Sequence, residues 1–313
     1  MSDQPTGSDA APLAKEREVT RAASPAPRRL PHPHECLPYR PAHKPLWAPR
    51  RKTIDPRQLD DFESSRRFNP RLTAASDLGQ VRINFRYASF SPSFASFSEK
   101  AGRQQYFESH HEAFGYRLHE VDPSVVDLQY QPLTLSWTDL AGRTLSMTFD
   151  YAIEKDDGAV IVGEDKAERS YFMEPRLAAR FAYAEAYLAT VNVCFERREA
   201  GGIPSMIEKR AVKKLFDHRR TTITEDEISR AQRAIHCSGG QTPLSTVLDA
   251  IGSGPVLGEH KLAAMLHKRH VTFVPTQPLM PDTPVSVPRP AKPGALRSFL
   301  ARHVPDTTSR RLH

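Results

Sequence analysis

The sequence has few cysteines and no long apolar run, and each shortage excludes a class of protein. Its 313 residues include three cysteines, Cys36, Cys194 and Cys237, which lie far apart along the chain. An odd and widely spaced set argues against a disulfide framework and a zinc site, and favours a reducing cytoplasm. No stretch approaches the ~20 apolar residues of a membrane span. Residues 1–5 lack the basic and apolar regions of a secretory signal, so we expect a cytoplasmic protein with no membrane partner.

What the chain does contain is a modest apolar fraction and an excess of positive charge. Hydrophobic residues make up 39% of the sequence and the mean hydropathy is −0.54, values typical of a protein with a modest core. There are 44 basic and 37 acidic residues. The resulting pI of about 9.4 favours a polyanionic partner.

Proline is concentrated at the two ends of the chain. Residues 1–50 hold ten of the 27 prolines, and residues 285–313 are again rich in proline and basic towards the end. Such segments bury too little apolar surface to offset the loss of chain entropy on folding. We therefore predict a disordered arm and a disordered basic tail, the latter either solvated or docked on a partner.

Between these ends, residues 51–202 alternate between helical and strand-like patterns. We predict a helix from about Ser98 to Glu120, three strands that end at Lys166, an alanine-rich helix over residues 176–190 and a short strand over residues 191–195. This order of elements predicts a mixed α/β core.

After Gly201 and Gly202 the pattern changes to short helices, and we predict a second domain over residues 203–284. Thr224 opens a capping box, and the helix over residues 257–270 precedes a strand-like run, residues 271–274. Short helices followed by a β element predict a winged helix, with a plain helical domain packed on the core as the alternative. The polar residues expected on the outward face of the 257–270 helix are Lys261, His267, Lys268 and Arg269.

A hairpin in the α/β core carries the chemistry. Its turn is Lys155–Gly158, whose Asp-Gly step is a strong hairpin signal. Asp150 lies in the first strand, and Glu164 and Lys166 lie in the second, where alternation points both to one face and Asp165 away. Two acids and a lysine in this arrangement predict a metal-dependent phosphodiesterase. The carboxylates would hold Mg²⁺, with Mn²⁺ able to substitute, and the lysine would steady or deprotonate the attacking water.

A helical acid, Glu112, completes the predicted site. Glu108 stands four residues earlier, on the same predicted helix face, and is its rival. Several acids grouped inside a small core cost several kcal/mol unless a cation compensates them. A metal site therefore explains the set better than the alternative, a cluster of surface charges.

Five segments together resemble a known family: Tyr106–Glu112, Glu120–Val126, Gln129–Pro132, Phe149–Tyr151 and Glu164–Lys166. They are similar to the N-terminal endonuclease domain of TnsA, the DNA-cutting subunit of heteromeric, Tn-seven-like bacterial transposases. The resemblance covers roughly residues 75–200 and implies a restriction-endonuclease-like core of the PD-(D/E)xK type. Residues up to about 285 resemble the winged-helix part of longer members. Phe149 departs from the pattern, because the wider nuclease superfamily often has proline there.

The resemblance implies roles for individual residues. Glu112, Asp150 and Glu164 would be the metal ligands, Lys166 the catalytic lysine, and Gln131 a residue that shapes the site or contacts DNA. The implied reaction is Mg²⁺-dependent hydrolysis of DNA at the 5′ ends of a transposon. The implied partners are double-stranded DNA, a DDE-type transposase and a regulatory AAA ATPase, all in the bacterial cytoplasm.

Two other functions fit the same residues. One is a stand-alone restriction or repair nuclease on the same core. The other is a DNA-binding regulator whose nuclease core is catalytically silent, which predicts DNA binding that survives Asp150→Ala. Lys261, Lys268 and Arg269 are the expected DNA contacts of the second domain.

Overall fold

The computed structural model describes residues 69–82, 94–138, 142–199 and 206–305. The strands are β1 (Arg71–Ala74), β2 (Phe94–Ser98), β3 (Arg103–Phe107), β4 (Val125–Tyr130), β5 (Leu133–Thr138), β6 (Thr144–Thr148), β7 (Tyr151–Lys155), β8 (Val160–Lys166), β9 (Cys194–Glu199), β10 (Gln241–Pro243) and β11 (Pro284–Ser286). The helices are α1 (His110–Val121), α2 (Arg169–Met173), α3 (Pro175–Thr190), α4 (Met206–His218), α5 (Glu225–Cys237), α6 (Leu244–Ile251), α7 (Pro255–His267) and α8 (Ala295–Ala301). The protein is therefore mixed α/β, as the sequence predicts.

The largest sheet has the strand order β4–β7–β8–β9, and only its β8–β9 pair is parallel. Helices α2 and α3 supply the crossover that a parallel pair requires. Helix α3 begins at Pro175, as predicted. It buries Phe181, Ala184 and Leu188 against the core. A second, antiparallel sheet has the order β1–β5–β6.

Two pairs of strands pass from one sheet into the other at the same point. Strand β4 continues into β5 through Gln131, whose φ is 44°. The backbone amide of Gln131 donates at 2.9 Å to the carbonyl of Asp150, the residue where β6 passes into β7. The prediction that Asp150 lies within the first strand of the hairpin is wrong, because β6 ends at Thr148 and β7 begins only at Tyr151. The chain bends because Phe149 turns into the core and donates its amide across the bend to the carbonyl of Leu133.

The segment before α1 also differs from its prediction. The helix expected from Ser98 begins only at His110, and the antiparallel hairpin β2–β3 precedes it. Alternate residues of β3 are buried, which is the pattern of a strand, and Gly102 takes a φ of 66° in the turn. Ser109 caps α1 by accepting the amide of Glu112. A local polar cap therefore sets the start of this helix.

The helices after residue 206 follow the predicted order. The capping box at Thr224 is present, and β10 pairs antiparallel with β11. The strand expected over residues 271–274 is reduced to one bridge, between Thr272 and Ser286. Helix α4 packs on both α1 and α7, and the described residues all belong to one compact unit. The boundary predicted at residues 202–203 and the predicted arm, residues 1–50, lie outside the described residues.

None of the helices in the described part of the chain combines the length and the apolar character that a membrane crossing needs.

The prediction of a disordered tail is wrong for residues 285–305. Strand β11 and helix α8 lie there, and α8 buries Leu296, Phe299 and Leu300 in the main core. Glu154 of β7, itself fully buried, accepts the amide of Gly294 at 3.0 Å and that of Leu296 at 2.9 Å. Composition could not reveal this docking, because the carboxylate that anchors the tail lies 140 residues earlier in the chain.

Glu154→Ala should loosen the tail. The two amides at the start of α8 would lose their buried acceptor, and we expect a loss of about 1–3 kcal/mol in the free energy of unfolding. Urea unfolding measures this loss, and hydrogen exchange at the Leu296 amide shows whether the tail opens first. The control is Asp249→Ala, which removes an exposed acid of α6 and should change neither. Unchanged exchange at Leu296 would contradict the anchoring role.

Candidate active site

Asp150, Glu164 and Lys166 meet at the bend between the two sheets. Strands β7 and β8 are antiparallel neighbours joined by the predicted Asp-Gly turn. The ammonium nitrogen of Lys166 donates to Oε1 of Glu164 and lies 3.6 Å from Oδ2 of Asp150. The predicted shared face of Glu164 and Lys166 is confirmed.

Asp165, the residue between them, points to the other face of the sheet, as the alternation predicts. Its side chain is fully buried and forms a two-pronged pair with Arg198 of β9, with Nε to Oδ1 at 2.6 Å. Arg198 lies directly opposite Asp165 in the parallel register. The backbone amide of Asp165 donates to Oδ2 of Asp150 at 2.7 Å. Asp165 therefore orients Asp150 through its backbone while its side chain is held from behind.

Glu112 lies near these residues but is engaged in capping its own helix. Its carboxylate accepts the Ser109 hydroxyl at 2.9 Å and the backbone amide of Glu108 at 3.2 Å. Glu108 precedes α1 and pairs with Arg82 at 3.0 Å in a partly exposed position. The prediction that Glu108 and Glu112 share a helix face is therefore wrong. Glu112 is 8% exposed and the charge of Asp150 acts on its pKa, so it is the acid of the two that lies nearer the site.

The three buried carboxyls are difficult to ionise together. Burial, reinforced by the charge of Asp150, raises the pKa of Glu112 to about 7 and that of Glu164 to about 8. Burial also raises the pKa of Asp150 to about 6, although Lys166 partly offsets it. Burial alone would lower the pKa of Lys166, but Asp150 and Glu164 raise it above its ordinary value. Lys166 therefore stays positively charged and stabilises the ionised forms of the two carboxyls beside it.

These raised pKa values predict how stability depends on pH. The unfolded carboxyls titrate near pH 4, while in the folded chain the highest pKa, that of Glu164, is about 8. Between these values the three carboxyls bind more protons in the folded state than in the unfolded state, so their contribution to the free energy of unfolding should fall as pH rises. Urea unfolding in EDTA at pH 5 and pH 8 measures the fall. Glu164→Gln should flatten it, and an unchanged slope in that variant would contradict this assignment.

The donor chemistry of the site fits a hard divalent cation. Oε2 of Glu164 is buried and has no hydrogen-bond partner among the described residues, and carboxylate oxygens are the ligands that Mg²⁺ prefers. Within the described ranges, however, no three Asp, Glu, His or Cys side chains are grouped closely enough to hold a metal ion. Lys166 lies between two of the predicted ligands and Glu112 caps its helix. A cation at Asp150 and Glu164 would therefore compete with Lys166.

A polar layer behind the site was not foreseen from the sequence. Nη1 of Arg198 lies 2.8 Å from Nε2 of His119, whose Nδ1 is 3.1 Å from the Tyr130 hydroxyl. Burial, and to a smaller extent the positive charge of Arg198, holds the pKa of His119 well below its usual range. The neutral ring therefore accepts from Arg198 and donates from Nδ1. The guanidinium also lies 4.8 Å from the ring centroid of Tyr151. The one available signal was Gly115, a glycine inside a predicted helix.

The structure places the four predicted DNA contacts differently from one another. Gln131 is buried, and its backbone holds the bend. Lys261 is partly buried and pairs with an acidic side chain of α5, while Arg269 donates to two backbone carbonyls. Lys268 is exposed. His267, expected outward, is buried and contacts a backbone carbonyl at the end of α1. That expectation is wrong, because α7 packs against α1 as well as α4 and α6.

No protein-family model matches the chain, and no curated protein matches it closely enough to count as a relative. A functional assignment therefore depends on the geometry of the site.

Proposed function

We propose that this chain is a metal-dependent DNA endonuclease subunit of a heteromeric transposase, which hydrolyses phosphodiester bonds at the 5′ ends of a transposon. The observation that carries the proposal is the position of Lys166 between Asp150 and Glu164, at the bend where two sheets meet. A half-buried lysine flanked by two acids with raised pKa values is suited to phosphodiester hydrolysis.

The order of the elements supports the same proposal. Helix α1 precedes β4, strands β5 and β6 lie between β4 and β7, and helices α2 and α3 lie between β8 and the parallel strand β9. This agrees with the mixed α/β core that the order of elements predicts, and the resemblance implies that such a core is restriction-endonuclease-like. Glu112 comes from α1 and Glu164 and Lys166 come from β8, while Asp150 lies in the bend directly before β7. Regular elements therefore position three of the four residues and flank the fourth.

In the proposed reaction, Asp150 and Glu164 would hold the cation, and Glu112 would be the third acid available to it if its carboxylate left the cap of α1. The bound Mg²⁺ or Mn²⁺ would supply an activated water and stabilise charge on the phosphate oxygens. The Asp165 amide keeps Oδ2 of Asp150 oriented towards the site. Lys166 would orient the attacking water and neutralise the charge that develops on it, provided that its ammonium were no longer held by Glu164.

The C-terminal helices are consistent with a winged helix. A helix, a strand, two helices and two returning β segments follow one another along the chain. These are α5, β10, α6, α7, the bridge at Thr272 and β11. The exposed start of α7 carries Val256 and Leu257, which are 68% and 46% exposed, rather than basic residues. We propose that this unit serves partner recognition more than DNA reading. The DDE-type transposase and the AAA ATPase are the proposed partners.

Lys166→Met tests the proposal because it should separate metal binding from chemistry. Without the ammonium that occupies the two carboxylates, Mn²⁺ should bind at least as tightly as in the wild type. Mn²⁺-dependent nicking of a supercoiled plasmid, with the transposase partner present, should fall by about 100-fold or more. The matched control is Lys213→Met, an exposed lysine of α4.

Each other outcome has a definite meaning. Nicking by Lys166→Met at the wild-type rate would contradict the proposed role of the lysine. If the wild-type chain nicked the plasmid equally fast with and without the transposase partner, the stand-alone nuclease would be favoured. DNA binding without metal-dependent nicking, in the presence of the partner, would favour the silent regulator.

A further inference from the structure

Gly115 of α1 lies against the buried Arg198–Asp165 pair with no room for a side chain. A Cβ atom at this position would lie 2.6 Å from Cζ of Arg198 and 2.8 Å from Oδ2 of Asp165, and closer still to Nη2 of Arg198. A Cβ atom essentially never makes non-bonded contacts this short. The absence of a side chain at residue 115 is therefore what lets α1 approach the sheet.

Arg198 cannot simply move aside for a larger residue. Its guanidinium is fixed by both oxygens of Asp165, by Nε2 of His119 and by the face of the Tyr151 ring. Swinging it away would leave the fully buried Asp165 carboxylate without its charge partner, which is strongly unfavourable. A side chain at residue 115 would therefore displace α1 or break the pair.

Either displacement would reach the active site. Glu112 lies three residues before Gly115 in α1, almost one helical turn away. On the sheet side, the backbone of Asp165 holds Asp150 through the 2.7 Å hydrogen bond to Oδ2. Gly115 and Arg198 therefore lie between the element that carries Glu112 and the element that orients Asp150.

We propose that Gly115 and Arg198 are positioning residues, and that their close contact sets the separation of Glu112 from Asp150 needed for the divalent cation. This inference rests on the proposed function, since it concerns the metal site of the proposed nuclease. Neither residue contacts the reacting atoms. Supporting residues of this kind typically change metal affinity by about 10–100-fold when they are altered.

The test is a calorimetric titration of Mn²⁺ into the full chain with a short nicked duplex present. Gly115→Ala should weaken Mn²⁺ binding by about 10-fold or more. The matched control is Gly258→Ala in α7, also a buried helical glycine, where a Cβ would meet only the end of the Leu248 side chain, at 3.1 Å. Both changes add the same helix propensity, so the control isolates the contact with Arg198.

A double variant separates positioning from general damage to the fold. Arg198→Lys retains a positive charge beside Asp165 and removes the guanidinium nitrogen that blocks a side chain at residue 115. In that background, Gly115→Ala should weaken Mn²⁺ binding by less than about threefold, which is a strong departure from additivity. Equal losses in both backgrounds, or wild-type affinity in Gly115→Ala, would overturn the inference. No Mn²⁺ binding by the wild type would instead reject the proposed function itself.

Discussion

Asp150→Asn should lower metal-dependent strand cleavage by about 1000-fold or more, a loss of about 4 kcal/mol in transition-state stabilisation. The same change should stabilise the metal-free protein. Asparagine retains an oxygen that accepts the Asp165 amide. It removes the negative charge of a carboxyl group whose pKa burial raises to about 6. In EDTA at pH 8 we expect a gain on the order of 1–2 kcal/mol in the free energy of unfolding.

These opposite effects distinguish a functional acid from a structural one. A carboxylate kept for stability would lose stability when neutralised, whereas one kept for a cation would gain it. Cleavage assays with the transposase partner present and urea unfolding in EDTA measure the two quantities. Asp157→Asn, in the exposed hairpin turn, is the control and should leave cleavage unchanged. A variant at Asp150 that cleaves normally, or that unfolds more easily in EDTA, would count against the account.

Arg198→Met should destabilise the protein by about 3–5 kcal/mol. The side chain of Asp165 is fully buried, and among the described residues its ion-pair partner is Arg198. Removing the guanidinium would leave a negative charge in the core and deprive His119 of its donor. The midpoint of urea unfolding, measured in EDTA, should fall accordingly.

The neighbouring residue provides the control. Arg197 also pairs with an acid, Glu185, at 2.7 Å, but both side chains are about one-third exposed. Arg197→Met should therefore change stability by less than about 1 kcal/mol. Adding Asp165→Asn to Arg198→Met should recover a large part of the loss, because it removes the unpaired charge. Similar losses for the two arginines would mean that the buried pair contributes no more than a surface one.

The local features of the site could be predicted from the sequence because each depends on neighbouring residues. The Asp-Gly turn specified the hairpin, and alternation separated Lys166 and Glu164 from Asp165. The capping box at Thr224 located the start of α5 in the same way. These signals have a period of two residues or a fixed spacing of three, so a single segment contains all the information needed.

The features that sequence reasoning missed depend on contacts between distant segments. The bend at Phe149 arises where two sheets meet, and the tail is anchored by Glu154, 140 residues away. Arg198 becomes important only because the parallel register places it opposite Asp165. Composition also misled at the C-terminus, since a proline-rich and basic segment can still fold when a buried carboxylate binds its amides.

The most direct test of the account is whether the buried acids bind a divalent cation at all. Mn²⁺ titrated by calorimetry into the wild-type chain, with a short nicked duplex present, should bind with an affinity that Asp150→Asn abolishes. Binding should also release protons near pH 7, because the pKa of Glu164 is raised to about 8 and the cation requires the ionised form. Identical titrations for the two proteins would contradict the metal site, and with it the proposed nuclease.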